Sequence, residues 1–171
     1  MNYFIKRAIA YFVDCIIVFS IIMLVLQWAI FSQFRDVIGI TDAWFRSSWN
    51  MQLYVLLSIS IPVWLYFAYF DSKHSKGSFG KRLFKLSVKD NSGGGISFSK
   101  SLFRSILKLL PWEIAHIGVI WPTPIYFEAE PTVRILTIIG MALFLIYVFS
   151  ILIDKDKRSL YDIVLNVNVV N

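Results

Sequence analysis

Cysteine and histidine are scarce in this chain. Cys15 stands alone, so no disulfide can close within the chain, and a single thiol inside an apolar run reads as a small packing residue. His74 and His116 are the two histidines; neither has a cysteine or second histidine at metal spacing, and no Ser-His-Asp or Cys-His order appears. An enzyme, a resident metal and a cofactor therefore find no foothold. Charge is thin as well: 16% of the 171 residues are charged, against 57% hydrophobic and 17% aromatic. That balance excludes an ordinary soluble domain and points to a single integral membrane domain over 1–171.

What the chain has in place of charge is apolar length. Segments 5–30, 51–70 and 132–153 each approach or exceed the ~20 residues that cross a hydrocarbon core. The first run is too long for a signal sequence's apolar region, contains Asp14 and lacks a small-residue cleavage pattern, so an uncleaved anchor is expected. Between the first two runs, Arg35, Asp36, Asp42 and Arg46 cancel, and Trp28, Trp44 and Trp49 mark an external interfacial loop. Pro62 should kink the second run.

The net charge of +6 would suit a nucleic-acid binder. Its distribution argues otherwise: the basic residues gather at Lys6-Arg7, from Lys73 to Lys108, and at Lys155, Lys157 and Arg158. Clustering of that kind is what cytoplasmic loops show, and no base-stacking platform accompanies it, so no nucleic-acid partner is expected. Segment 101–121 is the ambiguous one. Lys100, Arg104 and Lys108 recur every four residues, making one basic stripe on a helix. If this helix failed to cross, the last span would carry "DKDKR" outward, against the charge rule. The expectation is therefore an all-α membrane bundle of about four transmembrane helices, both termini cytoplasmic, with Arg104 and Lys108 snorkelling to the inner interface. A re-entrant helix broken at Pro111 is the alternative.

Segment 71–100 is the main cytoplasmic loop. Its "DSKHSKGSFGKR" places Gly77 and Gly80 at a tight turn presenting Lys81 and Arg82. It is not a phosphate-binding P-loop, because Ser75 stands at the first glycine position and Arg82 where Ser or Thr is required; anionic lipid headgroups are the expected partners. "LFKLSVKD" and "GISFS" flank the Gly-rich "NSGGG" and predict a small β-hairpin. The alternating stretch about 163–170, with Leu165, Val167 and Val169 on one side, predicts a further strand beside it.

Three titratable groups fall at membrane depth. Asp14 lies two helical turns beyond Arg7, roughly 10 Å deeper, and Glu113 and His116 lie roughly 13 and 18 Å beyond Arg104. A carboxylate at such depth costs on the order of 2.5 kcal/mol or more unless paired, protonated or set against a wet cavity. Either these groups hold helices together, or Asp14, Glu113 and His116 form a proton-linked cation site, His116 titrating near neutral pH. Glu-x-x-His also occurs in carboxylate metal bundles, which need a second copy that this chain lacks.

Taken together, "RAIAYFVDCII", "GSFGKRLFKLSVKDNSGGGISFSKSLFRS" and "RSLYDIVLNVNVV" resemble the RDD family of multi-pass bacterial membrane proteins over nearly the whole chain. The resemblance assigns the family's first Arg and Asp to Arg7 and Asp14, its second Asp to Asp162, and its Thr-Pro-Gly-Lys-Arg stretch with the arginine that follows to Gly80, Lys81, Arg82 and Arg104. Tyr161 replaces a usual His, Ser78-Phe79 replace Thr-Pro, and Leu165-Asn166-Val167 replace an Ala-Gly-Thr turn that Asn166 could still serve through a left-handed conformation. The resemblance implies a plasma-membrane protein; ligand transport is suggested for the family and cation/proton antiport attributed to some members. Two expectations follow: transport of a monovalent cation against protons by a homo-oligomer, or an accessory scaffold binding a partner through its basic loop.

Overall fold

The structure, a computed structural model, describes residues 2–171. Helix α1 runs over Tyr3–Phe34 and widens into a π-helical stretch at Ile22–Phe31. A short α2 (Asp42–Phe45) precedes α3 (Ser48–Asp71). Within α3, a π-helical turn at Leu56–Ser60 comes just before Pro62, where the missing N–H and the ring disturb ordinary helical bonding. Then follow α4 (Phe79–Leu83), β1 (Ser87–Asp90), α5 (Phe98–Ile120), α6 (Ile135–Ile153), α7 (Leu160–Val164) and β2 (Val167–Val170).

Helices α1, α3 and α6 are long and apolar enough to cross a membrane. Phe12, Leu24, Leu57, Met141 and Phe149 are exposed on them, as residues facing hydrocarbon should be. Helix α5 begins where the Lys100 N–H donates to Ser97 Oγ at 3.3 Å, an N-terminal cap. It continues unbroken through Pro111, so the alternative of a helix broken at that proline is not what the chain adopts.

The chain divides into two compact units. The first comprises the residues up to Val18, Val63–Leu109 and Phe144–Asn171. Its apolar core gathers Ala10, Leu86, Val88, Ile96, Val167 and Val169. Strands β1 and β2 pair antiparallel, with Val88 opposite Val169 and Lys89 opposite Asn168. Period-2 alternation thereby turns the valines inward and Lys89 and Asn168 to the other face. The expected hairpin partner "GISFS" is reduced to a single bridge between Lys89 and Gly95. Consecutive glycines order poorly as a strand, and the C-terminal strand takes the pairing edge instead. Asn166 adopts a φ of 50° just before β2, supplying the left-handed turn expected of it.

The second unit comprises Phe19–Pro62 and Leu110–Leu143. Gln27 donates to Ser58 Oγ at 2.9 Å and accepts from Tyr54, so the polar groups of these apolar helices satisfy one another. Arg134 ties the connection after α5 by donating to the carbonyls of Trp121 and Thr123 and pairing with Glu128. Two glycines let helices approach closely: a Cβ on Gly118 would lie 2.6 Å from Thr137 N, and one on Gly140 2.6 Å from Pro111 O. Gly140→Val is therefore expected to lose about 1–3 kcal/mol by overpacking, read as a lower thermal midpoint of the purified chain; an unchanged midpoint would mean that α5 and α6 are not packed at that point.

A buried charge network on five helices

Seven charged side chains are buried among the described residues: Arg7, Asp14, Asp71, Lys81, Arg104, Lys108 and Asp162. All seven lie in the first unit. Asp162 is placed by a local device. Ser159 caps α7 in a capping box with Asp162, which fixes the carboxylate at the helix start. Its Oδ2 then accepts from Arg7 Nη2 at 2.7 Å, and its Oδ1 receives Arg104 Nε at 2.8 Å and Nη2 at 2.8 Å. Arg7 also donates through Nη1 to the Lys157 carbonyl at 2.5 Å. Arg104, 2% exposed, reaches on through Nη1 to Asp71 Oδ2 at 2.6 Å. The second Asp71 oxygen accepts from Lys81 Nζ. The result is one continuous chain of alternating charges, Arg7, Asp162, Arg104, Asp71, Lys81.

Asp14, 1% exposed, serves the same assembly differently. Its Oδ1 accepts the Gly80 N–H at 2.8 Å and lies 3.4 Å from Tyr66 Oη; its Oδ2 accepts the Ser78 hydroxyl. Ser78 precedes α4, so an aspartate on α1 occupies the position where a cap of α4 would sit. Charge and helix-start donors are well matched there. Gly80 permits the contact, because a Cβ would overlap the Ala10 carbonyl. Docking α4 in this way carries Lys81 to Asp71. Burial pushes the Lys81 ammonium below its usual range, and Asp71 offsets part of that.

Lys108 is the exception in this assembly. It is 8% exposed, and no carboxylate among the described residues lies within ion-pair distance of its ammonium. The Nζ sits 3.2 Å from the Phe67 ring centroid and 4.9 Å from that of Tyr11, where aromatic faces attract a cation. With all groups ionised, four cations face three carboxylates.

Residues 3–166 match the model of the RDD family. The chain belongs to the RDD family. No curated protein and no solved structure matches it. With three helices able to cross a bilayer, this RDD protein is an integral membrane protein. The residues on which the sequence resemblance rested lie together in the fold: Arg7 pairs with Asp162, and Asp14 accepts the N–H of Gly80.

Some expectations change. Arg104 and Lys108 are turned into the protein rather than out to an interface, because Asp71 and Asp162 on other elements give Arg104 two carboxylates and the Phe67 and Tyr11 rings receive Lys108. Lys81 likewise points inward, whereas Arg82 is exposed. Asp14 and the pair Glu113–His116 have separate partners: Glu113 accepts from Ser60 at 2.9 Å, and His116 Nδ1 lies 3.9 Å from Glu113 Oε2 in the second unit. Asp71, Ser78 and Lys108 are members that sequence reasoning missed. Asp71 had a visible signal, being the first acid after an uncharged span. No group of acidic, histidine or cysteine residues able to hold a metal occurs among the described residues.

Tyr161 lies under the Arg104 guanidinium, 5.3 Å from ring centroid to Cζ. An aromatic face thus meets the buried guanidinium there.

Proposed function

We propose that this RDD protein exchanges a monovalent cation for a proton across the plasma membrane, with four passes and both termini cytoplasmic. The observation that carries the reading is the buried Lys108 ammonium, which has no carboxylate within ion-pair distance among the described residues. With Lys108 protonated, the seven buried groups sum to +1; with it neutral, they balance. A monovalent cation beside Asp14 or Asp71 restores the same total that the proton gave. Proton and cation then compete for one electrostatic vacancy, and competition of that kind is what couples their opposite movement. Glu113 and His116 supply a second titratable pair at membrane depth. Four helices leave little room for a path inside one chain, so a homo-oligomer belongs to the proposal, and the exposed Arg82 meets anionic headgroups. No catalytic chemistry is assigned to the chain.

The saturated part of the network favours a second reading. Asp162 and Asp71 each hold two cationic partners, an arrangement suited to clamping helices in a scaffold that recruits another protein. Flux separates the two. Reconstituted in vesicles with an internal pH indicator, the protein should move protons when a sodium or potassium gradient is imposed. Lys108→Met, which keeps length and apolar stem, should fall to the rate of empty vesicles, and Asp14→Asn should also lose exchange. Wild-type flux no greater than that of empty vesicles would leave the scaffold reading; full flux in Lys108→Met would remove Lys108 from the mechanism.

A further inference from the structure

A pocket of about 340 Å³ opens in the first unit beside the start of the loop that follows α3. That is the lower range of small-ligand sites. Its wall carries four lysines, Lys73, Lys76, Lys81 and Lys89, with Ser75 and Gly77 between them. Asp71 is the acidic residue on the wall, and both its oxygens are already engaged by Lys81 and Arg104. Among the described residues, no carboxylate lies within ion-pair distance of Lys73, Lys76 or Lys89. Three lysines of the lining are thus without an ion-pair partner, and the acid beside them is already engaged.

The backbone holds this space open in one shape. The Lys73 N–H donates to the Ile96 carbonyl at 2.8 Å, which ties the loop's start to its end. A Cβ on Gly95 would come 2.9 Å from Lys73 Cβ, so the tie depends on glycine there. Gly77, also in the lining, turns with a φ of +104°, a conformation that a side chain would strain. Its N–H donates to Ser75 Oγ at 3.3 Å, leaving the Ser75 hydroxyl proton for a ligand.

We propose that this pocket binds a phosphate group, held by Lys73, Lys76 and Lys89 and by the Ser75 hydroxyl. A compact, multiply charged oxyanion suits lysine point charges around a concavity better than a flat carboxylate would. The phosphate can come from a lipid headgroup at the membrane surface or from a soluble phosphate. Neither source depends on whether the protein transports ions, so binding and flux fail independently.

The test uses the full chain in nanodiscs and reads the thermal midpoint. In discs of phosphatidylcholine, inorganic phosphate is titrated; in a parallel series, phosphatidylglycerol replaces part of the phosphatidylcholine. At least one ligand should raise the midpoint, and Lys73→Gln/Lys76→Gln/Lys89→Gln should weaken that response by about tenfold or more. Lys85→Gln/Lys100→Gln/Lys155→Gln removes the same charge elsewhere and should keep it. Lys76→Gln alone, on an exposed side chain, should give a partial loss even if the triple variant fails to fold. A response to phosphate identifies a soluble source, and a response confined to phosphatidylglycerol identifies the headgroup. If neither ligand moves the wild type, or if both triple variants respond alike, the pocket is not a phosphate site.

Discussion

Asp162→Asn is expected to lower the stability of the folded chain by about 3–5 kcal/mol, the cost of removing one partner from a buried ion pair. The substitution keeps the shape, and the half of the capping box that the Ser159 side chain supplies stays in place. What it removes is the negative charge shared by Arg7 and Arg104, at 2.7 and 2.8 Å. An amide has one oxygen to offer and turns its NH₂ towards a donor, so one guanidinium faces a like group across a fully buried contact. Arg104 would retain Asp71, whereas Arg7 would be left with the Lys157 carbonyl. A midpoint equal to the wild type's in detergent-solubilised protein would mean that the three elements carrying these residues do not meet as described.

The same carboxylate sets a pH dependence. Burial alone would raise the Asp162 pKa, but the Arg104 and Arg7 guanidiniums more than reverse this and hold it below the usual carboxylate range. A folded-state pKa below the unfolded value gives stability that is complete above the unfolded pKa, near 3.9, and is lost as pH falls through the folded one. Wild type should therefore weaken progressively below about pH 4, and Asp162→Asn should show a flatter acid limb because it has that group no longer. Equal slopes would assign the acid sensitivity elsewhere.

Much of this architecture is legible in the sequence because hydrophobic length is a one-dimensional property. The apolar runs placed α1, α3 and α6 to within a few residues, and the alternation of Leu165, Val167 and Val169 placed β2. Partnership is less legible. Lys81, Arg104 and Lys108 look like surface cations in a loop and on a stripe, and what receives them inside is set by other elements: Asp71 for Lys81, Asp71 and Asp162 for Arg104, and the Phe67 and Tyr11 rings for Lys108. A basic stripe has the same spacing whether it faces headgroups or a buried acid. Likewise the sequence shows Asp14 only as an acid inside an apolar run, and the fold alone brings the Gly80 N–H and the Ser78 hydroxyl to it. The β-hairpin failed for a related reason: local pattern favoured neighbouring segments, but the distant valines of β2 offered β1 a better apolar partner than a glycine run could.

Gly80→Ala should have an effect out of proportion to one methyl group, on the order of 3 kcal/mol or more. The added Cβ would overlap the Ala10 carbonyl oxygen and press on its carbon, 2.9 Å away. Both are backbone atoms inside a helix, where neither rotamer change nor local shift gives room. Relief requires α4 to lift from α1, and that motion breaks the Gly80 N–H bond to Asp14, withdraws the Ser78 hydroxyl, and draws Lys81 from Asp71. Two carboxylates then lose donors together, so the loss follows from the network rather than from the volume. Two consequences separate this account from a merely tight contact. Amide exchange should accelerate across 78–83, while Phe79→Ala, at an exposed neighbouring position, should leave exchange there close to wild type. No smaller residue at position 10 should rescue the variant, because Ala10→Gly keeps the carbonyl that causes the clash. Restored stability in the Ala10→Gly/Gly80→Ala pair would show that side chains rather than backbone set the approach of α4, and that the docking of Lys81 does not depend on it.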